Sequence, residues 1–160
     1  MSAPSHRSAF TMAHHRPAAL MSGGSADDVE TAFYEALQAG DVERLMACWA
    51  DDDDIVCVHP GGARLLGAAA IRGAFEAIFA QGSLHVKISG VRRIQTLTSA
   101  VHSVCEAIEV LLPDGRHGAQ ILATNVYQKT PEGWRMVAHH ASPGTDLEGA
   151  PSSPTGTWLH

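Results

Sequence analysis

A chain of 160 residues, 45% hydrophobic and 18% charged, is one domain's worth of sequence and can bury a core without disulfide or metal staples. It is too apolar for a disordered chain, and it has no run of about 18 apolar residues that could span a membrane. A net charge of −6 argues against general nucleic-acid binding.

The charge is unevenly spread. All 17 acidic residues lie between Asp27 and Glu148, against 9 Lys and Arg over residues 27–149, so that stretch carries −8. Residues 1–25 hold Arg7, Arg16, His6 and His14-His15 among Ser and Ala, and end in Ser22-Gly23-Gly24-Ser25. They lack helical periodicity and read as a tail. The acid-free composition is that of a transit peptide, though two arginines are few, and no apolar stretch follows as in a secretory signal. Met12 and Met21 are each candidates for the true start. Residues 144–160, with Pro151-Ser152-Ser153-Pro154, read as a second tail, and Trp158-Leu159 is its one apolar spot. Cys48, Cys57 and Cys105 are odd in number and lack CxxC spacing, so they read as small buried hydrophobes in a reducing cytoplasm.

The domain is expected over residues 26–143. Val29, Ala32, Phe33, Ala36 and Leu37 recur at helical spacing. Ser25 stands as the cap, acids fill the first turn, and Gly40 closes the helix. Asp41 caps a second, shorter helix with Val42, Leu45, Met46 and Trp49 as its stripe. Asp51 to Asp54 lack the sixth-position glycine and distal glutamate of a calcium loop, so a solvated turn is expected there and no metal site. Ile55 to Val58 reads as a buried strand running into His59-Pro60-Gly61-Gly62. A third helix follows between Gly67 and Gly82, with Ile71, Phe75, Ile78 and Phe79 on one face.

From Leu84 the period changes to two, and Gly90 marks a bulge that bends the sheet. Val101 to Leu112 is a long strand. Asp114-Gly115 predicts a tight hairpin, Gly118 to Lys129 the return, and Pro131-Glu132-Gly133 a turn into the last strand, Trp134 to Ser142. The order α-α-β-α-β-β-β-β is α+β, with three helices over one face of a curved, mostly antiparallel sheet and room for a cavity between them.

If Pro113 pairs with Arg116, one sheet face carries His102, Val104, Glu106, Ile108, Ile121, Ala123, Asn125 and Tyr127. Glu106 faces Ala123 and His102 faces Tyr127 in that register. A carboxylate among aliphatics has a raised pKa and is a usable acid or base near neutrality. The alternative is that Glu106 meets an arginine or solvent at a subunit boundary. His139 and His140 point to opposite faces, and turn length decides which one joins Glu106. A three-residue turn at 131–133 pairs Asn125 with His139, whereas a four-residue turn pairs Ala123 with His140. A strand histidine also serves as a structural hydrogen-bonder, and His59 at its strand end shares both readings.

The chain resembles the SnoaL-like branch of the NTF2-like superfamily over residues 26–143. The residues that carry the likeness are Trp49-Ala50, Val56-Cys57-Val58-His59-Pro60-Gly61-Gly62, Glu106, Ala123-Thr124-Asn125-Val126-Tyr127, Gly133-Trp134-Arg135 and His139-His140-Ala141-Ser142-Pro143. The resemblance implies a cone-shaped cavity, a homodimer packed through the sheet and no organic cofactor. It points to Glu106, His140 and Asn125 as catalytic candidates, and to His59, Tyr127, Trp49 and His139 as residues that line or brace the pocket. Relatives include polyketide cyclases, ketosteroid isomerases, scytalone dehydratases and the association domain of a calmodulin-dependent kinase, so the fold names no reaction. The Asp, Tyr and protonated Asp of the isomerase branch have no counterpart set here.

Three functions are therefore weighed. In the first, the chain is a cofactor-independent lyase, isomerase or cyclase for a small, largely apolar molecule. Glu106 or His140 moves the proton, and Asn125 holds an oxyanion. In the second, the same pocket binds a ligand without turnover. In the third, the chain is an association module that dimerises through a sheet face bearing Cys105, Leu122 and Val126.

Overall fold

The computed structural model describes residues 23–144. The two expected tails, including Arg7, His14-His15, both alternative starts and Trp158-Leu159, lie outside the described residues apart from their inner edges.

Helix α1 (Ala26–Ala39) begins where Ser25 Oγ accepts the Asp28 amide at 3.1 Å and ends at Gly40. Its buried arc is Ala26, Val29, Glu30, Phe33, Tyr34 and Leu37, so two polar residues share the stripe with the apolar ones. Burying a side chain such as Phe33 contributes about 1.5–3 kcal/mol. Helix α2 (Val42–Ala47), capped by Asp41, is shorter than expected. Trp49 lies beyond it, bridged to Met136 rather than on the helical stripe. The acidic run is exposed, and the Asp54 amide donates to Asp52 Oδ1 at 2.8 Å in a turn.

Strand β1 (Val56–Val58) pairs antiparallel with β2 (Arg64–Leu66), a three-residue strand the sequence reading lacked. Helix α3 (Gly67–Gln81) buries Ile71 and Phe75. Then come β3 (Ser83–Gln95), β4 (Ser99–Leu112), β5 (Gly115–Thr130) and β6 (Gly133–Pro143). The sheet order is β2-β1-β6-β5-β4-β3, antiparallel except where β1 runs parallel to β6. The register of β3 slips between Ser89 and Arg92, around Gly90 at φ 60. That slip bends the long ribbon over the helices. The core fills the space between this inner face and α1–α3 and includes Phe33, Leu45, Ile71 and Met136. No helix among the described residues is long and apolar enough to cross a membrane.

Two register details fix which side chains meet. The β4–β5 turn centres on Pro113-Asp114, and Leu112 pairs with Gly115, so every expected partner moves by two. Glu106 therefore faces Ile121, and His102 faces Asn125. A shift of two preserves the face, so the expected inner set holds together. The β5–β6 turn has two residues, and Thr130 pairs with Gly133. That register alone would bring His140 opposite Ala123. A bulge at Val137 moves the count by one, Val126 pairs with Ala138, and His139 comes opposite Asn125.

Candidate functional site

Each element delivers a polar group to the underside of the sheet. Alternation along β4, β5 and β6 turns Glu106, Asn125 and His139 toward the helices. Cys57 pairs with His139, and His59, two residues on, shares its face. From the helix side, α1 brings Phe33 and Tyr34.

These groups form one chain of hydrogen bonds. The Tyr34 hydroxyl donates to Glu106 Oε2 at 2.5 Å and accepts from Asn125 Nδ2 at 2.9 Å. Asn125 Oδ1 accepts from His139 Nδ1–H at 2.5 Å. Since the amide oxygen can only accept, His139 is protonated at Nδ1 and carries its lone pair on Nε2. Asn125 is fully buried, Glu106 is 2% exposed and His139 5%.

In front of this chain lies a cavity of about 200 Å³. Phe33, His59, Phe75, Glu106, Ile121 and His139 are among its walls, and among the described residues no lysine or arginine lines it. The His59 ring stands 4.9 Å from Phe75, and that of His139 stands 5.5 Å from Phe33. Two larger hollows, of about 430 and about 760 Å³, open on the outer sheet face. Neither holds a buried titratable group, so the smaller inner cavity is the chemically equipped one.

Burial drives the electrostatics. It pushes Glu106 up to about 6; the Tyr34 hydrogen bond pulls the other way, and the negative charge of Glu30 adds to the rise. Burial, then the charges of Glu106 and Glu30, raises the Tyr34 phenol, which stays a donor. His139 is pushed down to about 3, first by burial and then by His59 and His140, so it is neutral. Burial also lowers His59. The Cys57 thiol, 3.6 Å from His59 Nε2, is pushed up to about 12 by burial and by Glu106, which leaves it an unreactive thiol.

The expected site residues divide. Glu106, His59 and His139 reach the cavity. His140 does not: it is exposed on the outer face, beside Val58 and Arg64, because the Val137 bulge reverses the end of β6. Asn125 is not among the cavity's lining residues; one of its two Nδ2 hydrogens goes to Tyr34, and its Oδ1 accepts from His139, so it connects the two. Trp49 is a core residue, and Tyr127 is buried with its hydroxyl on Glu30 Oε2 at 3.0 Å. Neither lines the cavity. The sequence reading missed Tyr34 and the buried role of Glu30. The available signal was their i, i+4 spacing inside the apolar arc of α1.

The geometry can hold an uncharged molecule against apolar walls and offer it one carboxyl of near-neutral pKa and one imidazole lone pair. The family model for the SnoaL-like domain matches residues 27–146. A candidate calcium/calmodulin-dependent protein kinase type II association domain from Thiobacillus denitrificans is 35% identical, covers 76% of this chain and 97% of its own, and superposes with a TM-score of 0.68. A candidate dehydratase of the NTF2-like family from Streptomyces avermitilis is 31% identical, with 74% and 93% covered and a TM-score of 0.68. An NTF2-like superfamily protein from Salmonella enterica, 16% identical over 78% and 93% of the two chains, shares the fold at a TM-score of 0.67. Among curated proteins, none matches this chain. The chain belongs to the SnoaL-like domain family, within the NTF2-like superfamily.

Proposed function

We propose that the chain binds a small, largely apolar, uncharged molecule in the inner cavity and moves a proton on it without an organic cofactor. The observation that carries this reading is Glu106, a carboxyl held near pKa 6 inside an apolar cavity. Near neutrality it exists in both protonation states and serves as base or acid. His139, near 3, holds a proton about a thousandfold less well and is assigned to accept a hydrogen bond from the ligand. Tyr34 and Asn125 fix both groups in place. Glu106 in the cavity wall would repel an anionic ligand.

The test needs no knowledge of the natural substrate. A panel of small ketones and lactones is incubated in D2O, and deuterium uptake beside the carbonyl is followed by NMR. At least one member should exchange faster with the protein, and Glu106→Gln should lose about 10²-fold or more of that acceleration. His140→Ala should lose none. Ligands that occupy the cavity without any exchange across the panel would leave a binding protein in place of an enzyme.

A second reading rests on the outer sheet face, where Leu122 is 45% exposed and Leu111 55%. It is supported by the likeness to proteins named as kinase association domains, one of them a hub from S. rosetta. In that reading the chain forms a homodimer through this face, and the pocket reading can hold alongside it. Sedimentation at micromolar concentration should give twice the chain mass, and a monomer would end the dimer proposal. The three cysteines, all free, suit the reducing cytoplasm expected from the sequence.

A further inference from the structure

A second buried polar cluster lies under the sheet, and none of its members lines the cavity. His102, on β4, is fully buried. Its Nδ1 lies 2.7 Å from Glu30 Oε2, on a side chain only 5% exposed. A carboxylate accepts, so Nδ1 carries a proton, and Nε2 is the nitrogen left to meet an ion. That Nε2 is buried and has no hydrogen-bond partner among the described residues. It is aimed at Asp27 Oδ1, 3.9 Å away, which is another acceptor. A buried imidazole nitrogen therefore faces an aspartate oxygen across a gap too long for a hydrogen bond.

We propose that His102 Nε2 and the Asp27 carboxylate hold one divalent transition-metal ion of the zinc type, with Glu30 orienting the imidazole through Nδ1 and water completing the shell. One ligand atom from each of the three lies within 4.8 Å of the others. The imidazole is oriented as metal-bound histidines are, with its second nitrogen held by a carboxylate. Two ligands of a tetrahedral zinc ion, at bonds of about 2.0–2.1 Å, stand roughly 3.3–3.4 Å apart. Asp27 closes that difference by moving about half an ångström, which its 59% exposed side chain is free to do. A nitrogen donor beside carboxylates favours zinc, cobalt or nickel over calcium or magnesium, which take oxygen shells.

Arg93 is the opposing group. Its Nε donates to Asp27 Oδ1 at 2.8 Å, the same oxygen that faces His102 Nε2, so it competes with the ion for that atom and its charge weakens binding. Tyr127 completes the surroundings as a neutral donor to Glu30. The ion would tie the first turn of α1 to β4. This role is separate from the proton transfer proposed for the cavity and contrary to the sequence expectation of no metal.

The test is a Co2+ titration of the untagged full chain, followed by calorimetry and visible absorption, with Zn2+ as competitor. Imidazoles elsewhere in the chain also bind cobalt, so the readout is the difference from Asp27→Asn, an exposed substitution that leaves the core intact. Wild type should bind one more equivalent than Asp27→Asn, or bind it at least tenfold more tightly, and Zn2+ should displace it. Arg93→Ala should tighten that equivalent several-fold. Superimposable titrations of wild type and Asp27→Asn would overturn the site, as would Arg93→Ala weakening it.

Discussion

Replacing Glu106 with glutamine should flatten a defined part of the pH dependence of stability. In the fold Glu106 titrates at about 6, against an ordinary 4.5, with burial as the main cause. The folded value is the higher, so the native state holds this proton more tightly than the unfolded chain does. Stability from this group is therefore greatest below about 4.5, falls as pH rises through the window up to about 6, and stays low above it. A gap of about 1.5 in pH amounts to about 2 kcal/mol, of which about 1.2 kcal/mol falls between about pH 5 and about pH 8. Glutamine keeps the shape and an acceptor for Tyr34 but has no charge to bury. The assay is urea unfolding followed by the fluorescence of Trp49 and Trp134, both buried. Between those two pH values wild type should lose about 1 kcal/mol more than Glu106→Gln, a midpoint difference of about 0.5–1 M for a slope of 1–2 kcal/mol/M. Parallel pH profiles, or a larger loss in the variant, would refute the assignment of a buried, ionising Glu106.

Tyr34→Phe strands Glu106 Oε2 and Asn125 Nδ2 together and should destabilise by about 2–4 kcal/mol in the same urea assay, with Glu106 titrating higher still by NMR. His139→Ala, which strips Asn125 Oδ1 of its donor, should cost about 1–3 kcal/mol, whereas the exposed His140→Ala should stay within about 0.5 kcal/mol. Ser25→Ala should lose about 1 kcal/mol with the α1 cap, read as a lower thermal midpoint. Gly133→Ala should cost more than the cap does. Its φ of 107 disfavours a side chain, and the new Cβ would stand 2.8 Å from the Gly23 carbonyl oxygen.

Much of this arrangement was legible because local chemistry and tertiary need coincide. Ser25, Gly40, Gly90 and the change of period at Leu84 each mark an element end or bend, and the structure keeps all four. The inner face was legible for a different reason. A hairpin misread by two residues still turns the same side chains inward, so Glu106 and Asn125 stayed together although their partners changed. What sequence could not supply was decided across the sheet. Strand β2 is three residues between glycine-rich stretches, too short to show alternation. The Val137 bulge has no glycine to announce it, yet it settles which histidine faces the cavity. Tyr34 was hidden among apolar neighbours on α1, since an aromatic at that spacing reads as core until its hydroxyl is seen to meet Glu106.

That bulge separates the composition of the site from its wiring. The adjacent imidazoles of His139 and His140 point oppositely, so the number of residues between the turn and the cavity works as a selector switch. A straightened β6 would set Ala138 against Asn125 and bring His140 inward opposite Ala123, keeping an imidazole under the sheet but cutting it off from the amide that holds its proton. A turn longer by one residue would restore His139 without any bulge. Descendants of this chain can thus trade loop length against strand irregularity and rewire their proton path while every polar side chain stays the same.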